Sequence, residues 1–323
     1  MKNDGSPKAK ILVVGSDKVA YSLVVCLLQA GHPVKLYTEQ GKQARQIINT
    51  HLDDCFNFQS EYISASADYE VLTSLEDKLD VAIAMVITSE NLSEKRAVLE
   101  KTEKALSKNA IIAINTESFA LQEVHLHATH QERVIGANWT EPVHTTLFLE
   151  IITNKLTSKS VVKDFFHLAK TYWRKDPYIL NHGNGIRSKM MCAMIREAFF
   201  LIEKGYVTPE DIDRACRNDP GYYFPFAGNF RYMDLMGAYI YGVVMKDLNP
   251  NLSKERHIPD FFNLLMEKGC YGMESGRGFF EYDENEVNNW NKLFRRFSYE
   301  IQEIIEKYPF KYLEELKEEN KNK

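Results

Sequence analysis

The chain has 323 residues, with 40 lysines and arginines against 45 aspartates and glutamates, for a formal charge of −5. Its 44% hydrophobic and 26% charged residues are close to the averages for globular domains, and the length suggests about two of them. No basic block lies outside the ends and no apolar run approaches the ~20 residues of a spanning helix, which argues against nucleic-acid and membrane partners.

The polar residues 1–7 carry no apolar region of the signal-peptide kind. Ile11-Leu12-Val13-Val14 then has the length and branching of a fully buried strand, and it stops at Gly15. Residues 18–30 follow with Val19, Leu23, Leu27 and Ala30 at helical spacing and Gly31 as a stop. Val34-Lys35-Leu36-Tyr37 restarts a strand, which completes a βαβ unit of a parallel sheet. Further strand-like runs cover residues 81–87, 110–114 and 134–136, with a polar helical stretch at 91–107. The fold class read from this alternation is α/β: a six-stranded, Rossmann-type doubly wound parallel sheet followed by an all-helical C-terminal domain.

After residue 155 the strand signals fade. Residues 188–204 form an apolar-faced helix ending at Gly205, and Thr208-Pro209-Glu210-Asp211 supplies an N-cap, a first-turn proline and an acidic N3 residue. Trp290, Leu293, Phe294, Phe297, Ile301, Ile304 and Ile305 share one helical face, as in a core or dimer-face helix. The tail from Glu314 is charged. Cys26, Cys55, Cys192, Cys216 and Cys270 form no CxxC pair, the usage of a reduced, cytoplasmic protein.

A dinucleotide-binding turn reads Gly-x-Gly-x-x-Gly or Ala. The first glycine makes the turn, the second admits the diphosphate and the third packs helix on strand. Here the turn is Gly15-Ser16-Asp17-Lys18-Val19-Ala20. Its middle position is a carboxylate, which repels a unit charge 4 Å away by ~4 kcal/mol at an effective dielectric of 20. Lys18 is placed to offset part of that. At the end of the second strand Thr38 stands where an acidic residue normally holds the adenosine ribose, with Glu39 next to it.

Asn115-Thr116-Glu117-Ser118-Phe119, then Gly136-Ala137-Asn138-Trp139-Thr140-Glu141-Pro142, then Leu149-Glu150 resemble the central signatures of the short-chain L-3-hydroxyacyl-CoA dehydrogenases. The Glu197-Ala198, Asp211-Ile212-Asp213, Asp234-Leu235-Met236-Gly237 and Gly276-Arg277-Gly278-Phe279-Phe280 segments resemble that family's helical domain. The resemblance runs from about residue 10 to 282. The helix beyond is similar to an extension in the family's lambda-crystallin and carnitine-dehydrogenase-like branches. It implies a dinucleotide-binding-like domain over residues 8–152, a helical substrate and dimerisation domain over 153–308, and a charged tail over 309–323.

It also implies NAD-linked hydride transfer on a 3-hydroxy or 3-oxo acid or acyl-CoA, with Lys42 leaving NADP open, in a cytoplasmic homodimer. In the family a histidine takes the hydroxyl proton and a glutamate orients it. The glutamate falls on Glu150, but the histidine's place holds Asn138, and an amide is no general base near neutral pH. The family's substrate-binding serine falls on Ser118, its asparagine on Ser188 and the neighbouring arginine on Lys189. Glu90 and Lys95 match residues at the nicotinamide ribose and substrate mouth. The segment between Thr38 and Val81 is shorter than in the family, whose helical insertion there helps hold the CoA tail.

With Asp17, Asn138 and Ser188 all departing, the site is expected to be degenerate and standard activity weakened or abolished. The alternative is an inactive family scaffold serving as a binding, partner or structural protein. His144 and Glu141 are candidate replacement bases, each with a plain surface reading beside it. His125, His127 and His130 do not share a helix face at their spacing, so no metal site is expected. The aromatic run Tyr222-Tyr223-Phe224-Pro225-Phe226 reads as pocket lining or as core.

Overall fold

The structure is a computed structural model that describes residues 9–59, 68–75, 78–181 and 183–309. The polar arm at residues 1–8 and the charged tail from residue 310 lie outside these.

The first unit, which ends at Lys189, is built on one eight-stranded sheet in the order β3-β2-β1-β4-β5-β6-β7-β8. Its elements are β1 (Ile11–Val14), α1 (Lys18–Gln29), β2 (Val34–Tyr37), α2 (Gly41–Gln59), β3 (Tyr69–Leu72), β4 (Ile83–Val86), α3 (Leu92–Ala105), β5 (Ile111–Ile114), α4 (Leu121–Val124), β6 (Val134–Trp139), β7 (Leu149–Ile152), α5 (Lys159–Tyr172) and β8 (Tyr178–Leu180). β1 pairs in parallel with both β2 and β4, the crossover of a doubly wound sheet. β7 runs antiparallel to β6, and β8 runs parallel to β7.

Burial explains the order. Every residue of β1 and β4 is buried, as central strands covered on both faces must be. One face packs Leu12, Val14, Ala84, Val86, Ile112 and Ile114 into a core, where each Leu, Val or Ile contributes about 1.5–3 kcal/mol of transfer free energy. Nine consecutive residues of α1, from Ala20 to Leu28, are buried, so this helix is enclosed on all sides. Phe165 and Trp173 meet edge to face at 5.2 Å, and the Trp173 indole N–H donates to His32 Nε2 at 3.1 Å, which ties the segment after β7 back to the sheet.

The sheet has eight strands rather than the six expected: β3, β7 and β8 fall outside the five apolar runs, β7 because the buried Glu150 interrupts it and the two edge strands because they carry no long apolar run. β3 exposes Glu70, and β8 is three residues long with Ile179 exposed. Since β8 pairs with β7, the sheet-bearing unit continues to Lys189, beyond residue 152. The polar helix α2 also fills part of the segment between Thr38 and Val81.

The second unit, from Met190, is helical apart from isolated bridges: the rest of α6 (Ile186–Glu203), then α7 (Pro209–Asn218), α8 (Pro220–Met236), α9 (Ala238–Leu248), α10 (Asp260–Glu267) and α11 (Glu284–Lys307). Thr208 and Asp211 form the expected reciprocal cap of α7, and Asp283 with Glu286 repeats it on α11. α8 kinks at Gly228, whose φ of 64° suits glycine. The aromatic run lies on α8 with Tyr222, Phe224 and Phe226 exposed, and α11 exposes Trp290, Leu293, Phe294, Phe297 and Ile304.

Candidate active site

Two regions of the first unit, both at the carboxyl end of the parallel strands, gather the residues read from the sequence. The first lies where the strand order reverses, between β1 and β4, the place at which open α/β sheets bind ligands. A cleft of about 390 Å³ opens there, with Gly15, Ser16, Asp17, Thr38, Glu39 and Ser89 in its lining. A Cβ at Gly15 would come within 2.8 Å of the Ala20 Cβ and 2.9 Å of the Ile87 carbonyl oxygen, so the turn closes only on glycine. The Thr38 hydroxyl is 3.0 Å from Ser16 Oγ and 3.3 Å from Tyr21 Oη, and accepts the Gln40 N–H at 3.2 Å. It clasps two turns together, and Glu39 beside it sets a carboxylate on this side of the cleft.

Asp17 is the N-cap of α1: its Oδ1 accepts the Ala20 N–H at 2.8 Å. Those helix-end N–H groups are the ones this fold offers to a diphosphate. The carboxylate therefore fills part of an anion site with its own charge. Desolvation in the turn raises its pKa, while the N–H groups of Ala20 and Val19 pull it down. Ala20 is buried under the turn, and Lys18 is not among the cleft-lining residues. In shape the residues fit a dinucleotide, and Asp17 sets a negative charge against its phosphates at the turn itself.

The second region is a row across three strands. Register places Asn138 of β6 opposite Glu150 of β7, and Glu150 opposite Tyr178 of β8. Glu150 is fully buried and accepts three hydrogen bonds: Asn138 Nδ2 to Oε2 at 3.1 Å, and the Tyr178 hydroxyl at 2.7 Å and the Arg187 N–H at 3.1 Å to Oε1. Asn138, also fully buried, accepts the Thr116 N–H at 2.8 Å and donates to the Thr116 carbonyl at 3.0 Å. Gly185 closes over this pair, since a Cβ there would lie 2.2 Å from Glu150 Oε2.

Beside the row, Lys95 is fully buried and bonds Glu90 at 2.7 Å, Thr88 Oγ1 at 3.1 Å and the Asn115 carbonyl at 2.9 Å. Glu90 in turn accepts the Ser118 hydroxyl at 2.7 Å and its N–H at 3.1 Å. Burial works against the charged form of Glu90, but Lys95 and Ser118 together hold its pKa below the ordinary value. Thr88 also lines the cleft, so one hydrogen-bond chain connects the cleft to Ser118, whose carbonyl accepts from Asn184 at 2.8 Å. Ser188 donates to Glu117, which also pairs with Arg187 at 2.7 Å.

The proposed replacement bases are elsewhere. His144 is buried with its ring 4.7 Å from that of His51, and burial, followed by the charges of His51 and Lys175, holds its pKa well below the ordinary value. Glu141 approaches His51 at 4.0 Å. His125 sits against Asn154 Nδ2 at 2.6 Å and His130 against Glu132 at 3.4 Å. Among the described residues no group of three His, Cys, Asp or Glu is placed to hold a metal. Sequence reading missed Tyr178, Arg187, Glu117 and Gly185 as site residues. Only the pairing register of β8 and the closeness of the turn at Gly185 reveal them.

The family model of the 3-hydroxyacyl-CoA dehydrogenase NAD binding domain matches residues 10–182, and that of the 3-hydroxyacyl-CoA dehydrogenase C-terminal domain matches residues 186–282. The 5-formyl-3-hydroxy-2-methylpyridine 4-carboxylate 5-dehydrogenase of Mesorhizobium japonicum is 27% identical over 197 residues, 60% of this chain and 63% of that protein. The chain thus spans less than two-thirds of that relative's length. A probable 3-hydroxybutyryl-CoA dehydrogenase of Bacillus subtilis is 23% identical over 286 residues, 85% of this chain and 98% of that one. In fold, the chain resembles the crystal structure of an NAD+-dependent 5-formyl-3-hydroxy-2-methylpyridine 4-carboxylic acid 5-dehydrogenase with a TM-score of 0.84 at 20% identity, over 92% of this chain and 98% of that one.

Proposed function

The chain belongs to the 3-hydroxyacyl-CoA dehydrogenase family, and we propose that it is an NAD-linked oxidoreductase acting on a 3-hydroxy or 3-oxo acid or its CoA thioester. One observation carries this reading. The hydrogen-bond chain from Thr88 through Lys95 and Glu90 to Ser118 joins the dinucleotide-shaped cleft to the side of the sheet where Glu150 is buried. When bound, the nicotinamide supplies the hydride acceptor or donor. Lys95 and Glu90 fix the mouth between cleft and substrate, and the Ser118 and Ser188 hydroxyls face the substrate oxygens. Asn138 holds Glu150 in place and does not itself move a proton.

Glu39 on the cleft wall favours NAD, since a carboxylate there repels a 2′-phosphate. The Mesorhizobium relative is named for a free pyridine carboxylate, which supports an acid as substrate alongside the thioester. The departures at Asp17, Asn138 and Ser188 mean that a histidine-based mechanism does not operate here, and they weaken activity on the usual substrates. The working form is a homodimer through the helical unit, whose α11 leaves Trp290, Leu293 and Phe297 each more than half exposed. None of the five cysteines is in a disulfide, which suits a reducing cytoplasm, and no helix among the described residues is long and apolar enough to cross a membrane.

Fluorescence titration with NADH and NADPH, followed by turnover of acetoacetate and acetoacetyl-CoA, tests the proposal. Saturable NADH binding with turnover of either substrate supports it. No nucleotide binding at millimolar concentration overturns it and leaves the inactive scaffold.

A further inference from the structure

Resting on the oxidoreductase reading above, we propose that Tyr178 is a catalytic proton relay, linking the substrate hydroxyl to buried Glu150 from the β8 side, a task that falls to a histidine in the family. Asn138 spends both amide hydrogens, on the Thr116 carbonyl and Glu150 Oε2, and its oxygen on the Thr116 N–H. It has no hydrogen left to donate and is fully buried, and an amide is no base. Glu150 is fully buried, so a substrate does not reach it directly.

Of the three donors to Glu150, two are amide N–H groups, from Asn138 and the Arg187 backbone. The third is the Tyr178 hydroxyl, 2.7 Å from Oε1, and it alone can pass a proton on. Tyr178 is half-buried, so part of this residue reaches solvent while Glu150 does not. Its ring packs edge to face on Phe148 at 6.1 Å, and the Arg187 guanidinium lies 5.9 Å over the other partner of that contact, which fixes the phenol's direction. A phenolic oxygen that donates its one hydrogen to Glu150 keeps lone pairs to accept another. Strand register places it in line with Glu150 and Asn138, at the carboxyl end of the sheet.

The step balances as follows. In the oxidising direction the carbinol carbon loses its C–H bond, with both electrons, as hydride to oxidised NAD. The substrate O–H bond breaks, and its proton goes to Tyr178 Oη as the original phenolic proton crosses to Glu150 Oε1. The carbonyl forms, Tyr178 ends as a phenol again, and Glu150 ends protonated. Reduction runs the same path in reverse. Burial, then the hydrogen bond and charge of Glu150, raise the Tyr178 pKa far above the ordinary value. The phenol therefore stays protonated near neutral pH, as a relay requires and a free tyrosinate base would not.

The test uses Tyr178→Phe and Glu150→Gln in the full chain. With wild-type turnover established, Tyr178→Phe is expected to stay folded with a modestly lower Tm and to keep the wild-type NADH affinity, while kcat falls about 10²–10⁴-fold. A second readout needs no cofactor. In protein labelled with 3-fluorotyrosine, the Tyr178 fluorine signal, identified by its loss in Tyr178→Phe, should titrate at lower pH in Glu150→Gln than in wild type. Tyr178→Phe with unchanged kcat in an active protein overturns the relay alone, as does a Tyr178 titration unmoved by Glu150→Gln. A wild type with no NAD-linked turnover overturns the oxidoreductase reading and the relay with it.

Discussion

Replacing Asp17 by asparagine should tighten NADH binding. The substitution removes the negative charge at the mouth of the diphosphate site and keeps a side-chain oxygen to accept the Ala20 N–H, now 2.8 Å from Oδ1. Asparagine caps helices as well as aspartate, so the helix end and its stability are preserved. Two unit charges 4 Å apart repel by ~1 kcal/mol in water and ~4 kcal/mol at an effective dielectric of 20. Asp17 is exposed, so the lower figure governs, and two phosphate charges give about 1–2 kcal/mol in all. That corresponds to an affinity gain of about 5- to 30-fold. The same carboxylate gives a pH signature. Its raised pKa means that it takes up a proton at higher pH than an ordinary aspartate. As pH falls through that value the repulsion disappears, and wild-type affinity should climb toward that of Asp17→Asn, whose own affinity lacks this rise. Fluorescence titration of both proteins across the acid range reads both effects. Equal dissociation constants at neutral pH would refute the claim that Asp17 opposes the diphosphate.

Gly185→Ala should disturb Glu150 without touching the cleft, because the added Cβ would stand 2.2 Å from Oε2. The expected loss is about 1–3 kcal/mol of stability, seen as a lower Tm, with reduced kcat and unchanged NADH affinity. Glu103 supports the fold away from the site: it accepts the Thr129 N–H at 2.8 Å and the His130 N–H at 2.9 Å, and meets the buried Arg133 guanidinium at 3.4 Å. Burial raises its pKa, but those three partners outweigh it and the net shift is downward from 4.5. A lowered folded pKa contributes stability that is present above the unfolded value and is lost as pH falls through the folded one. Glu103→Gln should therefore cost about 1–3 kcal/mol at neutral pH, and the gap from wild type should close as pH drops below the ordinary carboxylate range, by thermal melts at each pH.

The central strands were legible because burial on both faces writes them as unbroken apolar runs, as in Ile11-Leu12-Val13-Val14. The edge strands were not, since β3 and β8 lie at the sheet's margins and are buried on neither face throughout, with Glu70 and Ile179 exposed. α2 was missed for another reason. Its buried stripe is Ala44, Ile48, His51 and Cys55, at proper helical spacing, but a histidine interrupts it and the helix around it is polar. The site shows the same division. Glu150, Asn138 and Ser118 could be placed from motif spacing along the chain. Tyr178 lies 28 residues from Glu150 and meets it only through the pairing of β7 with β8, which no local pattern records. His144 illustrates the opposite error: near the site in sequence, it is buried against His51 instead.

The most direct test of the account is turnover of acetoacetate and acetoacetyl-CoA with NADH by wild type and Glu150→Gln, with nucleotide affinity measured on both. The account predicts saturable NADH binding by both proteins, oxidation of NADH by the wild type on at least one substrate, and loss of that turnover in Glu150→Gln. Turnover that survives in Glu150→Gln at the wild-type rate would contradict it.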